Sequence, residues 1–175
     1  MKLLIGLLLL ASCATKTITN SPEIPESTPP VVIEIKEDIF TPKTSLKNLI
    51  EATKIANCVI RNEHFKKALE STLTFDYSSE NGKAVYKKML SKKTTVTTYY
   101  KRYTSALAYT YLNGDEIYLN TKYTLREIAS LVNTIIHEQT HAVGYTHGSN
   151  SPQGKGLSVP YRVGELAELN TKWCL

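Results

Sequence analysis

The sequence predicts an α+β protein with one folded domain, and three observations carry that reading. Within residues 45–90, apolar side chains recur at helical intervals. Residues 94–119 are rich in Thr, Val and Tyr, the composition of strands. Residues 124–147 return to a helical period and hold three of the chain's four histidines.

Each element has its own signal. Ser45 to about Asn62 places Leu46, Leu49, Ile50, Ala56 and Ile60 on one helical face. A second helix is expected over Glu63 to Leu73, where Phe65, Leu69 and Leu73 recur every four residues. Asn81-Gly82 marks a turn, and a third helix is expected from Ala84 to Leu90. Thr94 to Tyr100 and Ser105 to Leu112 then read as strands. Asn113-Gly114 is a two-residue hairpin signal, because both residues tolerate the positive φ such turns need, and Glu116 to Leu119 is the return strand. Thr124-Leu125-Arg126-Glu127 reads as a capping box opening the next helix. On that helix Ile128, Leu131, Val132, Ile135 and Ile136 gather on one side, and His137 and His141 fall nearly opposite. One face should pack in the core and the other floor a cleft. Residues 149–156 are a loop by composition, and a last helix is expected around Glu165.

Residues 1–12 stand outside this fold. Lys2 precedes the apolar run Leu3 to Leu10, too short to cross a bilayer but flanked as export signals are. The run ends Leu10-Ala11-Ser12-Cys13, which resembles a bacterial lipobox. That resemblance implies cleavage before Cys13, a lipid on Cys13, and attachment to a membrane of the bacterial cell envelope. The membrane would be the outer membrane facing the periplasm, or the outer face of the cell membrane. An ordinary signal peptide or an uncut anchor are the alternatives. Residues 13–42 mix Thr and Ser with Pro22, Pro25, Pro29, Pro30 and Pro42, and no apolar period exceeds Val31-Val32-Ile33. Such a composition buries too little surface to offset its ordering entropy, which predicts a flexible tether. An edge strand within Val31 to Phe40 is the alternative. Residues 43–175 suffice for one compact domain with its own core, expected to be monomeric.

The net charge of +5 is unevenly spread. Residues 43–175 carry 18 basic and 11 acidic residues, with Lys83, Lys87, Lys88, Lys92, Lys93, Lys101 and Arg102 concentrating the charge. No nucleic-acid motif accompanies them, so nucleic acid is not an expected partner. A solvated face, or one attracted to anionic envelope polymers, is expected instead. Seven tyrosines between Tyr99 and Tyr123 suit either sheet packing or a binding surface. With Cys13 lipidated, Cys58 and Cys174 are left in an oxidising setting, where a disulfide is expected and two separate thiols are the alternative.

The chemistry concentrates in His137-Glu138-Gln139-Thr140-His141-Ala142-Val143-Gly144-Tyr145-Thr146-His147. Residues four apart share a helix face, so His137 and His141 can direct imidazole nitrogens at one metal ion. Glu138, one step round, can reach a water on that metal without being a ligand. Gly144 suits a helix end requiring positive φ, and the turn it allows returns His147 as a third ligand. Three protein ligands leave one position open, as catalytic zinc sites do.

This pattern, H-E-x-x-H-x-x-G-x-x-H, resembles the zinc signature of the metzincin metallopeptidases. The resemblance implies a zincin-like fold with a small twisted mixed sheet, an active-site helix and a short C-terminal lobe. It implies a zinc ion (Zn2+) on His137, His141 and His147, with Glu138 as general base. The implied substrate is a protein or peptide, including peptidoglycan peptides, paired in extended form with an edge strand drawn from Ser105 to Leu119. Metzincins also pass a methionine turn beneath the zinc at about Ser158-Val159-Pro160-Tyr161. This chain has only Met1 and Met89, leaving Val159 or Pro160 in that place, and Gly148 stands where an aspartate often follows the third histidine. Tyr161 is a candidate to bring its hydroxyl to the zinc or the oxyanion, or else a packing residue. Glu165 is the rival third ligand, by likeness to the gluzincins. A non-catalytic zinc lipoprotein that binds or scaffolds is the alternative to an enzyme.

Overall fold

In the computed structural model, which describes residues 31–33, 42–148 and 156–175, helices pack on one face of a small mixed sheet. The signal segment, Cys13, most of the tether and residues 149–155 lie outside the described residues. The elements in order are β1 (Val31–Ile33), α1 (Lys43–Arg61), α2 (Glu63–Glu70), α3 (Gly82–Ser91), β2 (Thr94–Tyr99), β3 (Ala108–Thr110), β4 (Glu116–Asn120), α4 (Ile128–Ala142) and α5 (Val159–Asn170). The α+β class is as the sequence predicts. None of these helices is long and apolar enough to cross a membrane.

The sheet order is β1-β2-β4-β3, with β1, β2 and β4 mutually parallel and β3 antiparallel on β4. Because strand side chains alternate, Val96 pairs with Ile117 and Thr98 with Leu119 on the face that meets the helices, and all four are buried. The opposite face carries Tyr99, Tyr109 and Tyr118, whose rings contact one another across strands; Tyr109 stacks on Tyr118 with centroids 4.7 Å apart. Beneath the sheet α4 runs against α1 and pairs most extensively with α5. Leu131, Val132, Ile135 and Ile136 of α4 are fully buried among Leu49, Ala56 and Val59 of α1 and Val163 and Ala167 of α5. The histidine face of α4 is left toward the β3 edge.

Several boundaries differ from the sequence expectation for physical reasons. Val31–Ile33, expected chiefly as tether, pairs in parallel with β2 and closes that edge of the sheet. The second helix stops at Glu70, where the Ser71 and Thr72 hydroxyls donate to the Ala68 carbonyl, and Leu73 is exposed. One asparagine, Asn62, joins α1 to α2, its side chain accepting from the His64 amide. Only Ala108–Thr110 of the Ser105–Leu112 segment is strand. The hairpin has the expected register, but its turn is shifted by one residue. The Gly114 amide donates to the Tyr111 carbonyl at 2.7 Å, and Asn113 alone takes positive φ, +62°. The Asn113 amide is thereby freed to donate to the His141 carbonyl at 3.1 Å, tying the hairpin tip to the end of α4.

The capping box is a correction. Residues Thr121–Tyr123 form a 3-10 turn running on from β4, so the Thr124 hydroxyl donates to the Thr121 carbonyl instead of accepting a helix amide. α4 starts four residues later, at Ile128, with Glu127 before it making no side-chain cap. Val159 and Pro160, the residues standing in the methionine's place, open the last helix. Both residues are buried in the first turn of α5, where proline's missing amide leaves no helical bond unmade. Cys58 of α1 and Cys174, 116 positions apart in sequence, form a disulfide with Cα atoms 6.0 Å apart.

Candidate metal centre

His137 and His141 project from one face of α4, ring centroids 5.0 Å apart. The helix ends at Ala142, and Gly144 takes φ +96°, as the sequence requires of it. A side chain there would also crowd the hairpin, since a Cβ would fall 2.7 Å from Asn113 Oδ1. The chain then reverses and returns His147, whose ring lies 4.9 Å from that of His141 and 5.5 Å from that of His137. One nitrogen from each imidazole lies within 4.8 Å of the others, an arrangement that can hold a metal ion.

A backbone contact orients one of these rings. His141 Nδ1 donates to the Tyr145 carbonyl at 2.7 Å, which leaves Nε2 as the free lone pair. Burial lowers the His141 pKa, favouring the neutral form a metal requires. Tyr145 is itself anchored: its hydroxyl donates to Glu80 Oε2 at 2.6 Å, and Lys88 pairs with Glu80 Oε1 at 2.5 Å. Those two bonds hold the Glu80 carboxyl below its ordinary pKa. Ahead of α3, Tyr77 adopts φ +62° and sets its ring against Gly148, where any Cβ would overlap it. That ring occupies the space an aspartate after His147 would need.

Glu138 is buried, lies beside the histidines, and its Oε2 has no hydrogen-bond partner among the described residues. Burial pushes its carboxyl up to about 7, against a smaller opposing pull from the Thr110 hydroxyl. Three imidazoles beside a buried carboxyl form a donor set suited to a divalent ion. A divalent ion would satisfy the nitrogens and favour the charged carboxylate. The residues present therefore fit a metal of the zinc type.

A cavity of about 640 Å³ opens beside the triad. Residues 104–108, leading into β3, form one wall, and Asn133, Thr134, His137 and Glu138 of α4 form the other, with His147 and Tyr161 at the end. Tyr161 sits in the first turn of α5, its ring centroid 4.6 Å from His137 and 5.0 Å from His147. The sequence candidates His137, Glu138, His141, His147 and Tyr161 are thus brought together. Glu165 is not among them: it is exposed, 3.8 Å from Arg162, and outside the histidine cluster. Thr110, Asn133, Thr134 and the Tyr145–Glu80 anchor were not singled out by sequence reasoning. Only the helical spacing of Asn133 and Thr134 ahead of His137 could have signalled any of them.

The chain matches no family model, and no curated protein matches it.

Proposed function

We propose that this protein is a zinc-dependent metallopeptidase of the zincin type, tethered to a bacterial envelope membrane through a lipid on Cys13. It hydrolyses amide bonds in protein or peptide substrates. The observation that carries the reading is Glu138, a buried carboxylate with an unpartnered oxygen beside three converging imidazoles on a cavity wall. A structural metal site has no use for such a group.

Zinc, when bound, supplies Lewis acidity toward a carbonyl oxygen and makes nearby water acidic enough to ionise close to neutral pH. Glu138 takes a proton from the attacking water and delivers it to the amine nitrogen as the C–N bond breaks. The Tyr161 hydroxyl, at the end of the cavity, donates to the developing oxyanion. β3 lies at the sheet's edge, where an extended substrate can add as a further strand along the cavity wall. An antiparallel edge strand above the histidine helix supports the zincin comparison.

Chelation tests this directly. Hydrolysis of a broad peptide library and of purified cell-wall peptides should disappear with a chelator and return with one equivalent of zinc. Chelator-insensitive hydrolysis would refute the mechanism. Stoichiometric zinc without hydrolysis of any substrate would favour the non-catalytic lipoprotein instead.

A second result concerns the anchor behind His141. Tyr145→Phe deletes the hydroxyl bonded to Glu80 while keeping the ring and the carbonyl. Zinc affinity, measured by competition with a chromophoric chelator, should fall about tenfold, the low end for loss of a ligand's outer support. Unchanged affinity would mean the carbonyl is held without Glu80.

A further inference from the structure

At the end of the cavity away from His147, a cation stands behind the wall. Arg126 is half-buried, and no carboxylate among the described residues lies within 4.0 Å of it. Its guanidinium is instead held by neutral oxygens. Nε donates to the Tyr123 carbonyl at 2.9 Å, Nη1 to Ser130 Oγ at 3.0 Å and Nη2 to Thr134 Oγ1 at 3.0 Å. The guanidinium touches one cavity wall directly, through Thr134, and the other only through Tyr123. Thr134 lines the cavity on α4, and the Tyr123 hydroxyl donates at 2.7 Å to the carbonyl of Thr104, which lines the opposite wall. Glu168 acts on it electrostatically from beyond ion-pair distance, and itself accepts from Asn133 Nδ2 at 2.6 Å.

We infer that this end of the cavity is a carboxylate subsite, and that the substrate carries a negative charge close to the scissile bond. Thr134 lies one turn before His137, so a group beside it sits within a residue's reach of the chemistry. The Thr134 hydroxyl accepts from Arg126 and gives its own proton to the Ser130 carbonyl at 3.1 Å. Rotating that proton into the cavity presents a charge-polarised donor to a ligand. Leaving a guanidinium half-buried without a counter-ion is unfavourable, and a ligand carboxylate removes that cost on binding. Burial also lowers the Arg126 pKa without neutralising it. The carboxylate would be an acidic side chain or a free chain terminus. This inference rests on the peptidase reading for the identity of the ligand as a peptide, whereas the binding preference itself does not require turnover.

The test uses the zinc-loaded full chain carrying Glu138→Gln, so that peptides bind without being cut. Three acetylated peptides are compared: one with glutamate after the scissile position and an amidated end, one with glutamine there and an amidated end, and one with glutamine and a free terminal carboxylate. One carboxylate-bearing peptide should bind at least about tenfold more tightly than the neutral one, the difference expected for a charge-assisted hydrogen bond. Which of the two does so identifies the source of the charge. The discrimination should shrink with added salt, vanish in Arg126→Gln, and survive in part in Arg126→Lys. The salt series needs no Arg126 substitution and so stands even if those variants fold poorly. Equal affinities, no measurable binding, or discrimination that persists in a folded Arg126→Gln protein would overturn the inference. Discrimination without hydrolysis by the chain retaining Glu138 would refute the peptidase reading and leave the carboxylate site standing.

Discussion

Replacing Glu138 by alanine should leave zinc near one per chain and slow hydrolysis by about 10² to 10⁴-fold, equivalent to about 3 to 5 kcal/mol of transition-state stabilisation. The separation of the two readouts is the point. Glu138 is not among the three imidazole donors, so metal content should not depend on it. His141→Ala, by contrast, should lower metal content and activity together. The same substitution carries a stability signature. A buried carboxylate with an unpartnered oxygen is costly to the fold, so the metal-free Glu138→Ala protein should unfold at the same temperature as the parent or higher. Kinetics, metal analysis and thermal melts on one preparation give all three numbers. Equal hydrolysis by parent and Glu138→Ala, both fully loaded with zinc, would remove Glu138 from the mechanism.

Breaking the Cys58–Cys174 disulfide should cause the largest loss of folding stability of any change considered. The bridge spans 116 residues, nearly the whole domain. In the chain-entropy account, closing a loop of that length restricts the unfolded state by about 4 to 5 kcal/mol, less where the unfolded state keeps structure. The bond joins the end of α1 to the tail following α5. There His64 and Trp173 also stack with ring centroids 4.3 Å apart. Denaturant unfolding of the oxidised protein, the reduced protein and a Cys58→Ser, Cys174→Ser double variant measures the effect. A midpoint unmoved by reduction, with two alkylatable thiols appearing only after reductant, would show the bond to be thermodynamically idle.

Much of the candidate metal centre was legible because its information is local. His137, Glu138, His141, Gly144 and His147 fall within three turns of chain, and helical spacing plus one positive φ bring them together. The amphipathic split of α4 was legible for the same reason. Tyr161 needed the family resemblance, since nothing in its neighbours signals that α5 will return to the histidines. What stayed hidden was longer in range. Glu80 and Tyr145 are 65 residues apart and meet only because α3 packs near the end of α4. Arg126 read as part of a capping box, yet the 3-10 turn after β4 consumed the Thr124 hydroxyl and turned the guanidinium toward Thr134. Local chemistry offered two uses for those residues, and the tertiary path of the chain selected between them. Val31–Ile33 was obscured differently. Its three residues lie in a Pro- and Thr-rich stretch, and only the waiting edge of β2 makes them a strand.

The central claim, that three histidines hold one zinc and leave a position open for water, is tested most directly by X-ray absorption at the zinc edge of the purified protein. The result expected is one zinc per chain with three imidazole nitrogens and one oxygen, all at about 2.0 to 2.1 Å. His147→Ala should reduce the nitrogen count by one, and Glu165→Ala should leave the spectrum unchanged. Zinc bound through sulfur, zinc closed off by four protein ligands, or no stoichiometric zinc at all would contradict it.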